Sequence, residues 1–191
     1  MAESRLPLQG IRVVEFVHVI MGPSCGLVLA DLGAEVVKVE PLDGDHTRKL
    51  TASGAGFFPT FNRNKKSIAV DLKSKEGQEI VLKLIKSADV LTENFRPGAM
   101  DKLGFGYDAL KKLQPELIYC SLKGFLAGPY ENRAGLDETA QMMGGLAYMR
   151  SGAMTVQSYG RKIPVPYYRQ VAAPTTTRAT HVIYSPSAKP Q

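Results

Sequence analysis

Cysteine is scarce in this chain: Cys25 and Cys120 are the only two in 191 residues. That is too few for a disulfide scaffold, and a chain of this length buries enough core to need no staple. No apolar run reaches the roughly 18 residues that a membrane helix requires, so no membrane partner is expected. Met1–Gly10 carries Glu3, Arg5 and Pro7 and lacks the apolar segment of a secretory leader. A reducing, cytoplasmic setting is the resulting expectation. The sequence holds no GxGxxG, no Walker A and no GxSxG pattern, and no His/Cys spacing of a metal site. Acidic residues are missing altogether from residues 150–191, although that stretch carries six Lys and Arg and five of the twelve prolines. Six cations spread over 42 residues make no dense run, so no nucleic-acid partner is expected.

What is present is an ordinary globular composition, 44% hydrophobic and 22% charged, which excludes wholesale disorder. Residues 1–149 balance 18 Lys and Arg against 18 Asp and Glu. The two stretches read as an ordered body, 1–149, and a basic, proline-rich, irregular tail, 150–191, with one short strand expected at Thr180–Tyr184.

The body alternates strand and helix patterns. Arg12–Val17 is a β-branched run after a glycine. Pro23 suits the first turn of a helix that stops at Gly33. Glu35–Glu40 completes a strand–helix–strand unit. Pro41–Gly56 is polar and glycine-containing, and reads as loop. Ser67–Leu72 and Asp89–Glu93 flank a helix over Lys75–Ser87 with Ser74 as its N-cap. Gly98–Leu103 and Tyr107–Leu113 read as short helices, Leu117–Leu122 as a buried strand, and Leu136–Met149 as an apolar helix. This order predicts an α/β fold, a Rossmann-like and mostly parallel sheet with helices on both faces.

In such sheets ligands bind at the carboxyl ends of the strands. There the sequence places His18, then Asn94-Phe95-Arg96-Pro97-Gly98, then Lys123-Gly124-Phe125. Arg48, Arg63, Lys65, Lys66, Lys73, Arg96 and Lys102 lie in or near these connections, a surface suited to phosphate, although such cations more often serve as solvated surface.

Four blocks then carry a family resemblance: Val14–Glu40, Asn62–Gly77, Ala88–Gly106 and Ile118–Met149. They occur in one order and span nearly all of residues 9–149. The chain resembles the class III CoA-transferases, the CaiB/BaiF or formyl-CoA transferase-like family. The resemblance implies transfer of coenzyme A between an acyl-CoA and a carboxylic acid, with CoA as substrate, no separate cofactor, and a homodimer of interlocked subunits. It implies a CoA site made by the loop from His18 and Val19 to Met21 and by Val70, Lys73, Asn94, Phe95, Ala99, Lys102 and Leu103. Lys73 and Lys102 would meet phosphates.

One departure follows. The family's nucleophile is an aspartate that attacks the thioester, some tens of residues after the helix matching Gly144–Met149. Residues 150–191 hold no Asp or Glu, so no catalytic residue is assigned and the chain is expected to be incomplete relative to the family. Asp137 and Glu40 are poor substitutes, the first reading as a helix cap and the second as a strand end. Leu136 stands where the family's racemase branch has a histidine, which favours the transferase branch. A protein that binds CoA or a partner without catalysis is the alternative reading.

Overall fold

A computed structural model describes residues 5–51, 54–125, 128–133, 135 and 180–183. Five strands come in the expected order: β1 (Arg12–Phe16), β2 (Glu35–Glu40), β3 (Lys66–Ala69), β4 (Val90–Glu93) and β5 (Ile118–Leu122). All four of their pairings are parallel. A sixth strand, β6 (Thr180–Ile183), lies at the edge of the sheet, whose order is β3-β2-β1-β4-β5-β6.

The helices form where local chemistry allows. α1 (Met21–Asp31) begins without a side-chain cap and ends at Leu32. Gly33 follows at φ +102°, a left-handed turn that a Cβ would oppose. α3 (Lys75–Lys86) starts at Ser74, whose Oγ accepts the Gly77 N–H at 3.0 Å. α4 (Ala99–Lys102) and α5 (Tyr107–Leu113) are short.

The polar stretch Pro41–Gly56, expected as loop, contains a 3-10 turn at His46–Lys49. Just beyond it α2 (Phe57–Phe61) was unforeseen as well. Both are held by side-chain contacts that reach beyond the short elements themselves. Glu40 accepts two hydrogen bonds from Arg48, each 2.8 Å, and the Arg48 guanidinium lies 3.7 Å from the centre of the Phe58 ring.

Register and side-chain alternation sort the sheet into two faces. One face packs Val14, Phe16, Val39, Leu91 and Tyr119 against α3, α4 and α5 through Val81, Ile85, Met100 and Leu110. The other packs Val13, Val36 and Val90 against Leu29 and Ala30 of α1. This second face also carries a polar row, because Lys38, Glu15, Thr92 and Cys120 stand in register across β2, β1, β4 and β5. All four are buried.

The described residues up to Leu122, with those from His181 to Ile183, belong to one unit, and those from Lys123 to Gly135 to another. Within the second, Gly124 and Gly135 approach so closely that a Cβ on either would sit 2.4 Å from the other's Cα. The helix expected at Leu136–Met149, Asp137 within it, the 149/150 boundary and most of the tail lie outside the described residues.

Candidate functional site

The strand order reverses between β1 and β4, and this crevice is where open parallel sheets place ligands. Four of the expected site residues meet there. The His18 N–H donates to Asn94 Oδ1 at 3.0 Å, and Asn94 Nδ2 donates to His18 O at 2.9 Å. The amide of Asn94 thus reads the same pattern as a neighbouring strand would, continuing the β1–β4 ladder with a side chain. The His18 ring sits 5.7 Å from Phe95 and 5.5 Å from His46. Burial, and then the neighbouring His46, push the His18 imidazole pKa down.

Val19 is bent. Its φ is +65°, a left-handed conformation that costs a β-branched residue about 1–3 kcal/mol. Close packing accompanies the bend. A Cβ on Gly22 would lie 2.5 Å from Val17 Cβ and 2.8 Å from Asn94 Cγ, so glycine alone lets α1 start this near the strand ends.

The remaining candidates fall into two groups. Val70 is 5% exposed and belongs to the core cluster against which Phe95 and Leu103 pack. It can offer a ligand little beyond its backbone, and its N–H is already given to Glu40 O at 2.8 Å. Lys73 and Lys102 are exposed and Ala99 is half-buried, on the segments that follow β3 and β4. Among the described residues no ion pair engages Lys73, Arg96 or Lys102.

The broader cationic surface is corrected by the structure. Arg48 pairs with Glu40, Arg63 with Asp31, Lys65 with Glu15 and Lys66 with Glu35. Each of these cations has a carboxylate partner, buried for Lys65 and at or near the surface for Arg48, Arg63 and Lys66; of the seven, Lys73, Arg96 and Lys102 have no ion pair among the described residues. Glu40, an unpromising nucleophile by sequence, is a structural acceptor. Burial pushes its carboxyl up, but Arg48, the Asp45 N–H and the Ser67 hydroxyl outweigh that and hold its pKa at about 2. A carboxyl so depressed stabilises the fold above its unfolded pKa of 4.5 and loses that contribution as pH falls toward 2. The wild type should therefore exceed E40Q in stability by on the order of 2 kcal/mol near neutrality, and the gap should close in acid melts. A gap that persists at pH 2 would show that the stability lost in E40Q does not come from the ionised carboxylate of Glu40.

Sequence reasoning missed Lys38, Asp45 and Thr47. Asp45 accepts the Thr47 N–H at 2.8 Å and the Thr47 hydroxyl at 2.7 Å, and pairs with buried Lys38 at 2.9 Å. The signal was available: Asp two residues before Thr is the pattern of an Asx turn. Two free thiols also lie in this part of the fold, Cys25 on α1 and buried Cys120 on β5. Burial pushes the Cys120 thiol pKa up.

The family model described as CoA-transferase family III matches residues 8–181, and the chain belongs to that family. The match continues beyond Met149, where the sequence reading ends its resemblance. The formyl-CoA:oxalate CoA-transferase of Streptomyces coelicolor is 45% identical over 142 residues, covering 72% of this chain and 35% of that protein. The succinate–glutarate CoA-transferase of Agrobacterium fabrum is 44% identical over 157 residues, covering 76% and 39%. Among solved structures, a CaiB/BaiF family protein from Brucella suis superposes with a TM-score of 0.68 at 45% identity, covering 74% of this chain and 40% of that one. A hypothetical protein from Mycobacterium tuberculosis gives 0.71 at 38%, covering 91% and 49%. The chain thus spans little more than a third of the length of the curated relatives it matches.

Proposed function

We propose that this chain supplies the CoA-holding part of a family III CoA-transferase, acting on an acyl-CoA and a carboxylic acid, and that it binds the CoA thioester without completing transfer alone. The observation that carries the reading is the convergence of His18, Val19, Asn94 and Phe95 on the crevice between β1 and β4, in a chain of this family. The contacts proposed for CoA are His18 and Val19 on the first loop, Asn94 and Phe95 on the second, and the segments bearing Val70, Lys73, Ala99, Lys102 and Leu103. The uncapped start of α1 adds unsatisfied N–H groups and a positive dipole end to that crevice. Lys73 and Lys102 are exposed cations with the charge that phosphates need.

Transfer itself requires a carboxylate to attack the thioester carbonyl and expel the CoA thiolate. Residues 150–191 contain none. CoA is a substrate in this scheme and no separate cofactor is invoked. A homodimer and a cytoplasmic setting complete the proposal. Apolar Val28 and Leu32 exposed on and just after α1 support the first, and the low cysteine count supports the second.

Calorimetric titration with CoA tests the reading. The chain should bind CoA, K73E/K102E should bind at least about tenfold more weakly, and an acyl-CoA mixed with a carboxylic acid should show no turnover. Absence of binding would remove the CoA site; turnover by the purified chain would remove the claim that its nucleophile is missing.

A further inference from the structure

The loop after β1 is gripped by side chains from three other places in the fold. Lys38 of β2 donates to Val17 O at 2.5 Å. Asn94, just after β4, takes both backbone groups of His18. Thr47, within the 3-10 turn, accepts the Val19 N–H on its hydroxyl oxygen at 3.2 Å. Residues 17 to 19 therefore have four backbone polar groups held by side chains rather than by the sheet.

The Thr47 contact differs from the other two because its direction is fixed from behind. A hydroxyl has one proton and two lone pairs. The Thr47 proton is committed to Asp45 Oδ1 at 2.7 Å. That carboxylate is itself pinned by the Thr47 N–H at 2.8 Å and by the buried ammonium of Lys38 at 2.9 Å. Only acceptor capacity is left to face Val19. Thr47 is 1% exposed and Asp45 4%, so water cannot readily take either place. The residue receiving this hydrogen bond is also the one that needs it, since Val19 holds a φ of +65° that a β-branched side chain avoids. The same turn sets His46, next to Thr47, against the His18 ring at 5.5 Å.

We propose that Thr47, oriented by Asp45, is the positioning residue that keeps the His18–Val19 loop in its ligand-facing form, with the bent Val19 peptide as the element it holds. The inference rests on the CoA reading for what the loop faces, but not for the holding itself. Without the hydroxyl, the Val19 N–H is left unmet and the loop gains by leaving the left-handed conformation.

The experiment uses the full chain as wild type, T47V and T47S, with T47A taking the place of T47V should that variant not fold. Two readouts are needed: hydrogen exchange of the Val19 amide followed by NMR, and titration with coenzyme A. T47V should speed Val19 exchange by about tenfold or more and weaken CoA by a similar factor, as expected for one lost buried hydrogen bond. T47S, which keeps the hydroxyl, should stay within about threefold of wild type on both. Unchanged Val19 exchange in T47V would overturn the proposal. So would faster exchange with unaltered CoA affinity, or a T47S variant as impaired as T47V, which would point to the methyl group instead. If the wild type itself fails to take up CoA, the CoA reading has failed, and Val19 exchange alone decides the role of Thr47.

Discussion

Replacing Lys65 with methionine is expected to destabilise the fold by about 3–5 kcal/mol, the range for leaving one partner of a buried ion pair uncompensated. Lys65 Nζ lies 2.9 and 3.1 Å from the two oxygens of Glu15 and donates to Pro23 O at 2.8 Å. The two side chains are 2% and 0% exposed. The site offers no slack, because a Cβ on Gly26 would fall 1.9 Å from Glu15 Oε2. Burial already raises the Glu15 pKa despite the attraction of Lys65; removing the ammonium raises it further. A carboxyl with a raised folded pKa binds more protons folded than unfolded, so stability falls as pH rises above the unfolded value of 4.5. K65M should thus lose less relative to wild type at pH 5 than at pH 8 in urea unfolding. The paired change E15L/K65M should recover most of the loss, since apolar replacement of a buried pair is often neutral. Equal losses for K65M at both pH values would mean that Glu15 carries no charge in the fold.

That ion pair also marks where sequence patterns stop informing. β2 was legible to the residue, Glu35–Glu40, and α3 with its Ser74 cap nearly so, because β-branched runs and caps are local signals. Lys38, Glu15 and Lys65 are not. A lysine within the strand EVVKVE suggests an exposed position, yet Lys38 is 1% exposed. Its partner Asp45 sits in the next loop, and the partner of Glu15 is 50 positions away. Burial of these charges is decided by pairing across the fold, which no window of neighbouring residues reveals. The 3-10 turn and α2 escaped for the same reason: each is too short for periodicity and is organised by Glu40 and Arg48.

For the site, the strand-end rule located His18 and Asn94-Phe95, since it needs only strand boundaries and chain direction. It could not sort the cations. Arg48 and Lys73 look alike as residues on loops, but one is consumed by Glu40 and the other is exposed without an ion pair among the described residues. Val70, expected to line a cleft, instead fills core, as a valine one residue beyond a parallel strand readily does. The strain at Val19 has no sequence signature, because valine gives no hint of a left-handed backbone. The Thr47 hydroxyl, the two carboxamide bonds of Asn94 and the Lys38 ammonium on Val17 O hold the conformation.

Asn94 should prove a sensitive position for that loop, although it lies after β4. N94A removes two hydrogen bonds at once and leaves both backbone groups of His18 unmet, for an expected stability loss of about 2–3 kcal/mol. CoA affinity should fall by about a hundredfold if the loop forms the proposed site, the sum of roughly two such bonds. Truncation alone does not separate lost holding from lost ligand contact; N94D does. An ionised aspartate can still accept from the His18 N–H, but it turns an oxygen toward His18 O in place of a donor. The clash is relieved when that carboxyl takes a proton and can donate again. Facing a carbonyl in a half-buried place should raise its pKa above the ordinary 3.9. A raised carboxyl pKa favours the folded, clamped state at low pH, so N94D should be weak near pH 8 and recover as pH falls toward 5, while N94A stays weak throughout. Calorimetry with CoA at both pH values reads the difference. If N94D tracks N94A at every pH, the amide's two-way bond to His18 is not what orders the crevice between β1 and β4.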